Sequence, residues 1–106
     1  MLIGNHWDDF ALTDKVLGER YFYGFPHFGG ALDAGVWYGS LRSAFSLGEA
    51  DGRTSPRLEI LAKALAEAGF KTTVRKDIRD WFLAHFVFNA GMMAAAIQAR
   101  GLLEMM

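Results

Sequence analysis

Cysteine is absent, which excludes disulfide stapling, thiol nucleophiles, zinc–thiolate centres and iron–sulfur clusters. A reducing compartment is expected in consequence, with the cytoplasm as default. There is no excess charge of either sign: 11 Lys and Arg stand against 12 Asp and Glu, a net charge of −1. The overall field therefore attracts neither nucleic acid nor an anionic membrane surface. Proline is scarce, with 2 in 106 residues, and no tract is low in complexity. The first residues, Met1 to Trp7, lack a basic segment followed by a long apolar one, so no secretory signal is expected. What is abundant is hydrophobic side chain, 52% of the total, which makes this a folding chain of one-core size.

Leu2-Ile3 is an apolar stub ending at Gly4-Asn5, as a buried strand running into a loop would end. Asp8 or Asp9 could cap a helix whose partial apolar face is Phe10, Leu12, Val16 and Leu17, ending at Gly18. Three runs then suit short strands: 21–25, 36–38 and 43–47, with Pro26 and Gly29-Gly30 read as a break between the first two. Brief connections between them predict an antiparallel meander.

Ser55 as N-cap and Pro56 at the first helical position begin a helix. Leu58, Leu61, Leu65 and Ala68 line one face of it, and Gly69 sits at its C-terminal stop. A strand over 70–74 follows, and a long helix starts at Asp77 or Asp80. From 81 to 99 that helix carries only His85, Asn89 and Gln98 as polar residues, close to the length of a membrane span. Gly91 and the alanines dilute its hydrophobicity, and His85 and Asn89, four apart, share one face. A helix buried among protein partners is the expectation rather than a membrane span. The rest of so short a chain cannot enclose it, so a partner subunit or further polypeptide is expected.

Among candidate sites, His85 and Asn89 are the sharpest polar pair, because each must find a hydrogen bond on an apolar helix. His6 and His27 have no spacing to one another or to a carboxylate that would hold a metal, and none is expected. The segment 25–30 matches neither G-x-G-x-x-G nor a Walker loop and reads as a turn. Lys71, Arg75, Lys76 and Arg79 form a basic cluster, read as a solvated face.

The order of pieces resembles the ketopantoate reductase family. It is carried by Leu2-Ile3-Gly4-Asn5, Gly24-Phe25-Pro26 with Gly29-Gly30, Leu47-Gly48-Glu49-Ala50-Asp51-Gly52, Ser55-Pro56-Arg57-Leu58, Ala68-Gly69-Phe70, and Asp77-Ile78-Arg79 followed by Asn89. The resemblance covers nearly the whole chain but only the middle of that family. It implies an NADPH-dependent oxidoreductase that reduces 2-dehydropantoate, with a Rossmann lobe and a helical domain. Residues 1–76 would then be the C-terminal part of the NADP-binding lobe, and 77–106 the first helix of the helical domain.

The fold expected is α/β: a partial Rossmann-type lobe with a short antiparallel meander, one packed helix and a long C-terminal apolar helix. Asn5 matches an asparagine near nicotinamide and substrate, and so stands for both cofactor and substrate contact. Asn89 matches a substrate-facing asparagine. The family's catalytic lysine position is His85, whose ordinary pKa of about 6.5 makes it a poorer fixed cation. The glycine-rich dinucleotide fingerprint and the family's later acidic residue have no counterpart, so the isolated chain is expected to be inactive. The alternative expectation is a non-catalytic module that self-associates or binds a partner through the terminal helix. A homo-oligomer, possible by helix exchange, is expected on either reading.

Overall fold

The computed structural model describes residues 1–4, 10–27, 29–40 and 44–99. A mixed four-stranded sheet holds the core. Its strands are β1 (Leu2–Ile3), β2 (Tyr23–Pro26), β5 (Ala44–Gly48) and β6 (Lys71–Val74), in that spatial order. β1 runs parallel to β2 and β5 parallel to β6, while β2 and β5 are antiparallel, with Phe25 opposite Ser46. Between β2 and β5 the chain leaves this sheet to form a separate two-stranded hairpin, β3 (Gly29–Asp33) and β4 (Val36–Ser40).

The expected three-strand meander is corrected by that excursion. The aromatic run Val36-Trp37-Tyr38 pairs with β3 and leaves the β2 edge to β5, and Gly29-Gly30 open a strand where a turn was expected. The hairpin projects, with Trp37 76% exposed and Leu32, Val36 and Tyr38 also exposed. Composition suited these residues to strands but could not say which sheet would take them.

Three α-helices accompany the sheet. α1 (Ala11–Leu17) is followed by a 3-10 turn over Gly18–Arg20. Asp8 and Asp9, its expected caps, lie outside the described residues, and the N-cap position is Phe10 with a positive φ of 60°. Its expected apolar face is divided: Phe10 enters the core and Leu17 packs against it, whereas Leu12 and Val16 are exposed. α2 (Pro56–Glu67) starts as expected, with the Ser55 hydroxyl accepting from the Leu58 N–H at 3.3 Å. Leu58 is its buried anchor.

α3 (Ile78–Gln98) has 21 residues and is, by length and composition, apolar enough to cross a membrane. Only Ile78, Phe82 and Ala96 are buried along it. Phe10, Tyr21, Tyr23, Ile78 and Phe82 form the main core cluster, with Tyr23 contacting Phe10, Tyr21 and Phe82 edge to face at 5.3–5.5 Å. The radius of gyration, 15.9 Å, exceeds the ~13 Å of a compact domain near this length, as a projecting hairpin and an uncovered helix require.

Candidate functional site

The glycine and acidic signature 47–52 and the helix start 55–58 turn out to be one structural device. Glu49 is 2% exposed and is held by the Arg57 guanidinium through Nε to Oε1 at 2.8 Å and Nη2 to Oε2 at 2.6 Å, while the Ser55 hydroxyl also donates to it. Arg57 donates further to the backbone carbonyls of Glu19 at 2.7 Å and Tyr21 at 2.9 Å, fastening the segment before β2 to the start of α2. These bonds, from Arg57 first and Ser55 next, hold the Glu49 carboxyl below the usual carboxylate range. Gly48 lets α3 approach the sheet: a Cβ there would lie 2.5 Å from the Ile78 Cβ and 2.6 Å from the Arg75 carbonyl oxygen. Gly52, at φ +76°, faces the Lys76 carbonyl oxygen, which a Cβ would meet at 2.5 Å.

Nearby, Arg79 reaches from α3 to the Asp14 carboxylate on α1 and to the Tyr21 hydroxyl at 2.8 Å. Its Nε is buried without a hydrogen-bond partner. This corrects the basic cluster: Arg79 points into a network, and Arg75 pairs with Asp77 at 3.0 Å while lying 5.5 Å from the Trp81 ring centroid. A cavity of about 290 Å³ opens between the two networks, lined by Asp14, Glu19, Glu49 and Asp51 together with Arg53, Arg57 and Arg79. Four carboxylates against three guanidiniums make it no match for a pyrophosphate.

The residues singled out from sequence lie on α3 where it crosses the sheet. Ile78, Phe82, His85, Asn89, Met92 and Ala96 follow a 4-3-4-3-4 spacing, and every one of them is buried or half-buried. His85 and Asn89 therefore do share the inward stripe, one turn apart. The His85 ring stacks on Trp81 at 4.9 Å with a 15° interplanar angle and meets Phe25 of β2 edge-on at 4.5 Å.

His27, which spacing could not connect to anything, joins this cluster. Its Nε2 lies 2.8 Å from the Ser46 hydroxyl on β5, and its ring contacts Phe25 and Trp81 at 5.5 and 5.3 Å. The antiparallel pairing of β2 with β5 brings the two polar groups together, so only the register could have revealed them. Burial pushes both imidazoles below the ordinary histidine value; for His27 the neighbouring His85 and Arg75 add to the effect. Both are neutral at pH 7. A neutral imidazole can still donate one N–H to a developing oxyanion, although it supplies no full charge. Asn5, the other expected contact, lies outside the described residues. Among the described residues no group of three or more His, Cys, Asp or Glu could hold a metal ion.

No family model, curated protein or solved structure matches this chain.

Proposed function

We propose that the chain is the middle portion of a ketopantoate reductase-like, NADPH-dependent oxidoreductase acting on a 2-oxo acid or related carbonyl in the cytoplasm. On this reading β1, β2, β5 and β6 with α2 belong to the end of a Rossmann-type lobe, and α3 is the first helix of the substrate domain. The observation that carries it is the pairing of His85 and Asn89 on the inward stripe of α3, at the spacing where the resemblance puts a proton donor and a substrate-binding amide. His85, neutral at pH 7 and oriented by Trp81 and Phe25, donates an N–H to the substrate carbonyl oxygen. Asn89, one turn on, fixes the substrate's polar end, and Asn5 has the substrate and cofactor contact that the resemblance implies.

The residues present do not fit the cofactor. The sequence contains no G-x-G-x-x-G, and the polar cavity is lined by more acid than base. NADPH would be held by other parts of the complete polypeptide, and the isolated chain is inactive on this reading. The test is NADPH oxidation by the complete polypeptide with ketopantoate and related 2-oxo acids. His85→Ala is expected to lower kcat by about 10²-fold, the scale of losing one hydrogen-bond donor to a developing oxyanion. An unchanged rate removes the role given to His85, and no turnover of any 2-oxo acid by the unaltered polypeptide removes the reductase reading.

A further inference from the structure

His85 and Asn89 stand on uncharged ground. Residues 81–98 of α3 include no Asp, Glu, Lys or Arg, and neither do β2 and β5, the strands that carry Phe25 and Ser46. Trp81 stacks on the His85 ring, Phe25 meets it edge-on, and Phe88, one turn further along the helix, is 61% exposed. The cation on this aromatic group, Arg75, lies over Trp81 and is already neutralised by Asp77, through Nε at 3.1 Å and Nη2 at 3.0 Å. Burial alone lowers the His85 imidazole, with no charged neighbour contributing. We propose that the substrate of this site is an uncharged carbonyl compound, a ketone, aldehyde or 2-oxo ester with apolar substituents, in preference to a 2-oxo acid. This rests on the reductase reading and narrows it.

The argument turns on how far a carboxylate can sit from the atom that His85 serves. In a 2-oxo acid the carboxylate is bonded to the carbonyl carbon itself. With the carbonyl oxygen about 3 Å from the imidazole nitrogen, the carboxylate lies within roughly 6 Å of that nitrogen. Its surroundings are then Trp81, Phe25, Phe88 and Asn89, none of which carries a positive charge. The neutral imidazole and the Asn89 amide offer N–H dipoles, which suit a polar carbonyl but do not neutralise a full charge. A carboxylate drawn out of water against aromatic rings without a cation is disfavoured. An ester or ketone avoids this, and the same rings give its apolar substituents a surface to cover.

The test pairs phenylglyoxylate with its methyl ester, which share the ring and the reducible carbonyl and differ in charge. With the complete polypeptide and NADPH, kcat/KM is expected to be about 10²-fold greater for methyl phenylglyoxylate. The ester is intrinsically the more reactive carbonyl, so the ratio is read against His85→Lys, which sets a fixed cation at the site and is expected to cut the ratio by about tenfold. A second readout needs no cofactor: in the 106-residue chain, the ring protons of His85 are expected to shift in NMR spectra as methyl phenylglyoxylate is added, and to shift less with phenylglyoxylate. A kcat/KM that favours the acid, a ratio that His85→Lys leaves unaltered, or an equal response of the His85 resonances to both probes overturns this proposal and leaves the reductase reading in place. NADPH oxidation with neither probe removes the reductase reading, and this proposal with it.

Discussion

Phe82 and Phe88 lie less than two turns apart on α3, yet the first is 1% exposed and the second 61%. Phe82 touches Tyr23, Phe25 and Trp81 edge to face, whereas Phe88 sits on the exposed side. The same side chain on the same helix thus does two kinds of work. At the start of α3 it holds the helix to the sheet, and further along it offers surface to something else. The difference follows from the face of α3 that each occupies: Phe82 belongs to the inward stripe and Phe88 to the exposed side, and Gly48 lets the start of that inward stripe, at Ile78, approach the sheet closely.

The sharpest way to break this comparison is to truncate both rings. Phe82→Ala is expected to cost about 4 kcal/mol, because a packed aromatic leaves a cavity that the surrounding rings cannot close. Phe88→Ala is expected to stay within about 0.5 kcal/mol when unfolding is followed by urea titration at a dilution where the chain is monomeric. Equal losses would mean that the side of α3 carrying Phe88 is covered by the chain itself, and the division of the helix into an inward and an exposed face would fall.

A second contrast separates ion pairs of similar appearance. Arg57 serves a carboxylate that is 2% exposed, while Arg53 reaches Glu19 and Asp51 in the open, with side-chain exposures of 84% and 57%. Arg57→Ala strands the buried charge of Glu49 and two backbone carbonyls, and is expected to cost about 3 kcal/mol. Arg53→Ala is expected to cost less than about 1 kcal/mol. Thermal unfolding of both variants in the same buffer makes the comparison, and a mild Arg57 variant would show that the Glu49 centre is not what fastens α2 to the strands.

Much of this was legible in advance. Ser55-Pro56 announced α2 because capping chemistry is local, whereas Asp77 stands at the start of α3 without a side-chain cap bond, its carboxylate pairing with Arg75 instead. The inward stripe with His85 and Asn89 was legible because helical spacing alone decides which residues share a face. The fate of the aromatic runs was not, since Val36-Trp37-Tyr38 is as suitable for the main sheet as for a projecting hairpin, and pairing is decided between segments distant in sequence. The burial of Glu49, the most enclosed charge among the described residues, was not legible, because its partner Arg57 lies across a cap. His27 was missed as a neighbour of His85 for the same reason: the β2–β5 register and the crossing of α3 put them in one cluster.

The smallest expected effect tests that cluster. His27 and His85 both have pKa values below 6.5 in the folded chain, while unfolding returns each to its ordinary value. The unfolded state therefore binds more protons in this window, and stability falls as pH drops through 6.5 towards the folded-state values. Protonation of His27 would set its ring near the Arg75 cation and near His85, whereas for His85 burial alone opposes the charge. The carboxylates behave separately: Glu49 and Asp14 are held below their ordinary 4.5 and 3.8, so their contribution survives until the pH is lower still. Denaturation midpoints against pH are thus expected to show two descents, one beginning near 6.5 and one below 4.5. His85→Phe keeps a ring against Trp81 and Phe25 and removes one of the two titrating groups, so it is expected to flatten the upper descent alone. An upper descent unaltered in this variant would place the proton uptake elsewhere and dissolve the pairing of His27 with His85.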